Sequence, residues 1–472
     1  MSNIKENISE KLRNMFAMLS PGGWIICIMA IVASVVVVSL PHTVPDGQTL
    51  WLFAKSHKLI YDPMTVEWND RQTNSADRVN ILLLSAGALQ RRLLSGFLSG
   101  TPLPDLVEVY SSIASQAFKG RPEDIGFADL TDRLKEDGLL EKINQPSFSP
   151  WSSRGRIYGL PHDVHPVLLA YRADIIEAAG IDVSTIETWD DFVKVLLPMV
   201  KDIDGDNYID HYLLNIWETN PELIEMLILQ AGGGFFDIHE NLKMDTDINV
   251  KVLATVISWT TGPNRIAVNA PEFDATGNRM RLDGQVLFSF MPDWLGGIWR
   301  QDLPQLTGKI KLMPLPAWEK NGRRTSVQGG TMLGIPKNVD DFERAWEYAK
   351  HLYLTPQLAR ELYKTSGIIT PVKSFWNDPI YDESSSYYSG QAVGRLYINA
   401  APDVPLRTSS PYNSLALAKL SDAAMELKSY AKDNSVFSVS DLIPEAHRLL
   451  LKAEKSVQHQ INRNVFLKED TR

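Results

Sequence analysis

After a mixed segment containing Lys5, Lys11 and Arg13, the chain carries an uninterrupted apolar run, Trp24 to Leu40, without a single charged residue, and then changes character at a proline-containing spacer, Pro41 to Gly47. From there short apolar runs alternate with segments of helical period. Thr49 to Ala54 reads as a buried strand, Tyr61 to Arg71 as part of a helix, and Arg78 to Ser85 as a second strand. Gly87 to Gly100 carries Leu89, Leu93, Leu94 and Phe97 on one helical face, and Asp105 to Val109 is a third strand. This alternation predicts a doubly wound α/β lobe, in which ligands meet the loops at the carboxyl ends of the strands. Those positions are Lys55, Ser56 and His57, then Ser85 and Ala86, then Tyr110 and Ser111.

Farther along, Val167 to Tyr171 is an apolar strand that runs into a helix expected to end on Gly180, a residue that tolerates the left-handed C-cap. Leu160-Pro161 before it fixes an extended entry, and His162, Asp163 and His165 place polar side chains where a loop leaves a sheet edge. Thr188 to Phe192 opens the next helix, expected over Asp190 to Asp202. Glu222 to Ala231 is another. Tyr212 to Ile216 and Lys309 to Met313 read as strands, and Val286, Phe288 and Phe290 alternate toward Met291-Pro292-Asp293-Trp294. Leu415 to Ala431 and Leu442 to Val457 are helical, and residues 461–472 form a polar tail.

These segments, in this order, resemble the extracellular solute-binding proteins of carbohydrate ABC importers, the family of the maltose-binding and glycerol-phosphate-binding proteins. The resemblance spans about Gln48 to Leu420. Its anchors are Thr49 to Phe53, Pro104 to Val109, Tyr158 to Gly180, Gln230 to Asp237, and Gln328-Gly329-Gly330 ahead of Leu333 to Pro336. It implies a two-lobed periplasmic-binding-protein fold of the type II, maltose-binding kind. Lobe I would hold residues 46–163 and 331–368, and lobe II residues 164–328 and 370–460, with return crossings near Gln328 to Thr331 and Gly367 to Pro371. It also implies a carbohydrate ligand held between lobes and delivered to ABC permease subunits.

At 472 residues the chain exceeds one ordinary core, in keeping with two lobes. A net charge of −10 with no basic stripe argues against nucleic acid. Cys27 is the only cysteine, so intrachain disulfides and thiolate metal sites are excluded. At about 1.5 Å per residue the run 24–40 spans roughly 25 Å, near the lower limit for a bilayer core. It reads as a transmembrane signal anchor or a signal peptide, with residues 1–23 cytoplasmic in the anchored case and Gln48 onward outside the cytoplasm. Cys27 lies too early in the run for a lipoprotein cleavage site.

Two constellations carry candidate chemistry. Asp202, Asp204, Asp206 and Asp210, with the Tyr208 carbonyl between them, have the spacing of a loop that turns oxygens onto a hard cation, a structural Ca²⁺. The loop departs from an EF-hand because position 12 is Leu213 and Gly205 falls one place early. A metal-free Asx-turn loop is the alternative. The second constellation is aromatic and polar: Trp217, Asp293, Trp294, Trp299, Gln328, Gly329, Gly330, Tyr412 and Asn413. Sugar recognition needs flat apolar faces for stacking and planar polar groups for paired hydroxyls. His165 falls where the maltose-binding branch contacts its ligand with an acidic residue, so the stereochemistry read there differs. Arg300, Arg324 and Arg407 could serve an anionic ligand, though the surface is the default place for arginine. No phosphate loop, G-x-S-x-G or H-E-x-x-H pattern supports an enzyme. A membrane-tethered sensor and an extracellular carbohydrate-active enzyme are the two rival readings.

Overall fold

A computed structural model describes residues 20–39, 46–203, 205, 209–216, 220–408 and 410–464. The chain divides into two compact units, Met1–Gly47 and Gln48–Arg472. The first contains a helix, Pro21–Ser39, in which Ile25, Ile26, Ile28, Met29 and Ile31 are all exposed. The run whose side chains are described, Trp24 to Val36, rises about 20 Å. Among the described residues no helix is long and apolar enough to cross a membrane.

The second unit holds two five-stranded sheets. Besides a two-stranded ribbon, Ser152–Ser153 with Arg156–Ile157, the strands of the two large sheets in chain order are β1 (Gln48–Leu52), β2 (Val79–Leu83), β3 (Leu106–Tyr110), β4 (Leu160–Pro161), β5 (Val167–Arg172), β6 (Tyr212–Asn215), β7 (Ala267–Val268), β8 (Val286–Pro292), β9 (Ile310–Met313) and β10 (Thr331–Gly334). The first sheet has the order β2-β1-β3-β10-β4 and the second β9-β5-β8-β6-β7. β1, β2 and β3 are parallel, as crossover helices between them require. β10 runs antiparallel to both β3 and β4. The doubly wound pattern therefore stops short of the whole sheet: the strand that returns from the second sheet enters from the opposite side. Apolar residues of β1, β3, β4 and β10 pack with the helix Phe342–Tyr353 in one core. β5, β6 and β8 pack with the carboxyl-terminal helices Asn413–Asp433 and Val439–Arg463 in another.

Local signals explain most boundaries. Ser85 caps the helix Ala86–Ser99, which ends on Gly100 in the left-handed region. Thr188 and Asp191 form a capping box on the helix Trp189–Leu196. Three expectations shift. The helix after β1 begins at Lys55 with no side-chain cap, so Lys55, Ser56 and His57 lie on its first turn and not in a loop. After β5 the helix covers only Ala173–Ile176 before turns lead to Gly180, whose φ is 73°. The helix expected to reach Asp202 gives way at Leu196 to a 3₁₀ turn containing Pro198, because proline lacks the N–H the helix would need.

Candidate functional site

Three segments connect the two sheets and lie side by side. The His162 N–H donates to the Thr331 carbonyl (3.0 Å), and the Val164 N–H donates to the Ile369 carbonyl (3.1 Å). Pro166 bridges Val327. Two glycines make this crossing possible. Gly329 and Gly330 have φ of 103° and 119°, and a Cβ on Gly329 would lie 2.9 Å from Trp294 Nε1.

Charged side chains tie the crossings together. His165 Nε2 lies 3.0 Å from Asp163, and its Nδ1 lies 2.6 Å from Asp293. Asp293 also accepts the Trp294 N–H (2.8 Å) and the Ile369 N–H (2.7 Å). All three side chains are buried. Burial opposes the charge on His165, but the fields of Asp163 and Asp293 outweigh it and raise its pKa to about 10. Burial likewise opposes the Asp163 carboxylate, and His165 prevails, holding it below the usual carboxylate range.

A second buried cluster lies beneath the ends of β1 and β3. Glu108 is fully buried and accepts from His57 Nδ1 (2.7 Å), the Tyr61 hydroxyl (2.8 Å) and the Tyr353 hydroxyl (2.7 Å). Burial would raise the Glu108 pKa, but the neighbouring His57 lowers it. Burial would lower the His57 pKa, but Glu108 raises it. Each side chain thus favours the charged form of the other. His162 packs against His57 with tilted rings whose centroids are 4.6 Å apart, and burial, reinforced by His57, lowers its pKa. His57, Glu108 and His162 bring possible metal-ligand atoms within 4.8 Å of one another. Glu108 and His57 Nδ1 are already paired with each other, and His162 Nδ1 lies 3.0 Å from Asp163, while His162 Nε2 is buried without a partner.

Between the sheets lies a cavity of about 460 Å³, within the usual range for small-ligand sites. Ser56, His57, Tyr110, Ser111, His165, Trp294, Gly329 and Gly330 line it, so the structure brings eight of the residues singled out from sequence to one space. A smaller adjoining chamber shares Trp294 and Glu222 and adds Gln328, Asn215 and Phe273. Trp294 is half-buried. Its indole N–H donates to the Gln328 carbonyl (2.9 Å), and its ring stacks near Phe273 at 6.2 Å. Phe53 meets Tyr110 edge to face at 5.3 Å.

Other candidates lie elsewhere. Ser85 is an exposed helix cap, and Trp299 is buried with its indole N–H on Glu272 (2.9 Å). Tyr412 packs against the core under the second sheet. Asp163, Asp293 and His162 are not among the residues that line the cavity: both carboxylates are paired with His165, and His162 Nδ1 with Asp163. Trp217, Asp204, Asp206 and Tyr208 lie outside the described residues. The ends of their loop are turn-like: Asp202 accepts the Gly205 N–H (2.7 Å), and Asp210 accepts the Ile203 N–H (2.6 Å).

Sequence reasoning missed Phe53, Glu222 and Glu108, and it left Arg407 on the surface by default. Arg407 is buried, donates to Glu225 (2.6 Å) and to the Gly329 carbonyl (3.1 Å), and lines the cavity. Burial raises the Glu225 pKa while Arg407 pulls it down. The guanidinium cannot lose its proton, and a 2.6 Å contact to it keeps the pair ionic. Arg324 and Arg300 donate to backbone carbonyls.

Two lobes joined by three crossings, with a polar and aromatic cavity between them, define a hinged binding protein. Residues 62–358 match the bacterial extracellular solute-binding proteins, and the chain belongs to that family. It is 24% identical over 380 residues to the arabinooligosaccharide-binding protein of Halalkalibacterium halodurans, covering 77% of this chain and 80% of that one. Its identity to the arabinooligosaccharide-binding protein of Bacillus subtilis is 26% over 380 residues, with coverage of 79% and 84%. In fold it is similar to the sugar-binding protein MalE of Xanthomonas citri, with a TM-score of 0.69 and 15% identity over 88% of this chain and 99% of that one.

Proposed function

We propose that the protein captures a carbohydrate, an oligosaccharide by analogy with its relatives, in the cavity between its lobes and passes it unchanged to ABC permease subunits. The observation that carries this reading is the cavity of about 460 Å³, where Trp294 and Tyr110 offer flat faces beside Ser56, Ser111 and the backbone at Gly329 and Gly330. Rings stack on sugar carbon–hydrogen faces while the polar groups take hydroxyls. A ligand touching both lobes favours the closed arrangement by its extra contacts there. Support for this ligand class also comes from the two arabinooligosaccharide-binding relatives.

In the same reading the helix Pro21–Ser39 is a signal anchor or signal peptide that places the binding unit outside the cytoplasm. The loop from Asp202 to Asp210 takes a structural calcium ion. The test is tryptophan fluorescence and thermal melting against mono- and oligosaccharides, with recovery of the ligand afterwards. A saturable shift, a melting point raised by mass action and unaltered ligand are expected. A folded protein that responds to no sugar, or that converts one, refutes the proposal. For the loop, calcium should raise the melting point and chelator lower it; a midpoint indifferent to both removes the metal.

A further inference from the structure

Building on that carbohydrate reading, the geometry points to an uncharged oligosaccharide as the ligand, and to a cleft that rejects sugars bearing carboxylate or phosphate. Holding an anion requires a cation or a cluster of N–H donors left over after the protein's own contacts are met. Among the described residues, the cations that line this cavity are all engaged. His57 meets Glu108 at 2.7 Å, His165 sits between Asp163 and Asp293, and Arg407 meets Glu225 at 2.6 Å. Arg281, behind the adjoining chamber, meets Glu272 at 2.6 Å. Arg300 and Arg324, the other cations an anionic ligand could have used, are turned to backbone carbonyls.

Carboxylates are left in surplus. His165 is one cation between two acids. Glu222, exposed where the two chambers meet, makes no ion pair among the described residues. Among the described residues, counting those that line the cavity with their direct ion-pair partners, carboxylates exceed cations by two. Low-dielectric walls concentrate the resulting negative potential in the cleft. The uncapped first turn at Lys55 favours an anion and opposes this surplus, and its N–H groups also serve a hydroxyl oxygen. The occupied end of the other helix at the cleft, Asp293–Asp302, already holds the Asp293 carboxylate.

The experiment uses the full chain in a detergent without a sugar headgroup. Isothermal titration compares oligosaccharides matched in length that carry either a hydroxymethyl or a carboxylate at one ring carbon, at low and high salt. The neutral sugar is expected to bind at least about tenfold more tightly at low salt. Added salt and the exposed substitution Glu222→Gln should both narrow the gap. Equal or tighter binding of the acidic sugar overturns the inference and leaves the carbohydrate function standing. A gap indifferent to both salt and Glu222→Gln overturns it too, because rejection would then be steric. Failure of every sugar to bind overturns both this inference and the function it builds on.

Discussion

Replacing His165 by alanine removes the cation held between two buried carboxylates, and the consequence has a definite dependence on pH. Breaking a buried ion pair by removing one partner costs about 3–5 kcal/mol. Here part of that is offset, because Asp293 keeps two backbone donors and Asp163 keeps His162. A loss of about 2–4 kcal/mol near neutral pH follows. In the native protein the His165 pKa is raised to about 10, against about 6.5 for a free histidine. A raised pKa contributes stability that is complete below about pH 6.5 and falls as pH rises, at up to about 1.4 kcal/mol per unit, until the folded value is passed. The stability advantage of the wild type over His165→Ala should therefore shrink between pH 6.5 and 10. Urea unfolding at several pH values in that window, analysed as the difference between the two proteins, isolates this residue from others that titrate there. A difference that stays flat or grows with pH refutes the charged assignment of His165.

Other outcomes follow from the same geometry. Glu108→Gln should destabilise the protein by about 2–3 kcal/mol at pH 7. Because the Glu108 pKa is lowered, that advantage of the wild type should disappear as acid protonates the carboxylate, which denaturation across pH 7 to 3 would show. Gly329→Ala places a Cβ 2.9 Å from Trp294 Nε1 at a φ of 103°, so about 1–3 kcal/mol of stability and most ligand affinity should be lost, read by melting and titration. Arg407→Met leaves Glu225 buried without its cation and should cost about 3–5 kcal/mol; restoring much of it with a second change, Glu225→Leu, would show that the unpaired charge is the cause. Glu240 accepts from Ser153 Oγ (2.8 Å) and the Arg154 N–H (2.6 Å), joining chain on either side of the first crossing. Glu240→Ala should weaken ligand binding severalfold, read by isothermal titration, because these contacts tie the chain across the crossing.

Much of the fold was legible because local chemistry and tertiary placement agree. Ser85, Gly100 and the Thr188–Asp191 box set helix ends from within a few residues. The alternation of Val286, Phe288 and Phe290 falls on β8, which is buried throughout, so its even positions carried only half of the signal. The lining of the candidate cavity was legible where it lies next to a crossing, at His165, Trp294, Gly329 and Gly330. Its charge pattern was not. Arg407 finds Glu225 182 residues away, and Tyr353 reaches Glu108 across 245. No spacing rule connects such pairs. A glutamate inside the apolar strand Leu106–Tyr110 was the visible sign, since a carboxylate there must find partners. Trp299 shows the opposite error: beside Trp294 in sequence, it is spent on Glu272.

The most direct test of the account is isothermal titration of neutral oligosaccharides into the wild type and Trp294→Ala. The account predicts saturable one-to-one binding by the wild type and a loss of about fivefold or more in the variant, since stacking on one aromatic face contributes on the order of 1 kcal/mol or more. Undiminished binding by a folded Trp294→Ala would place the ligand outside this cleft and contradict the central claim.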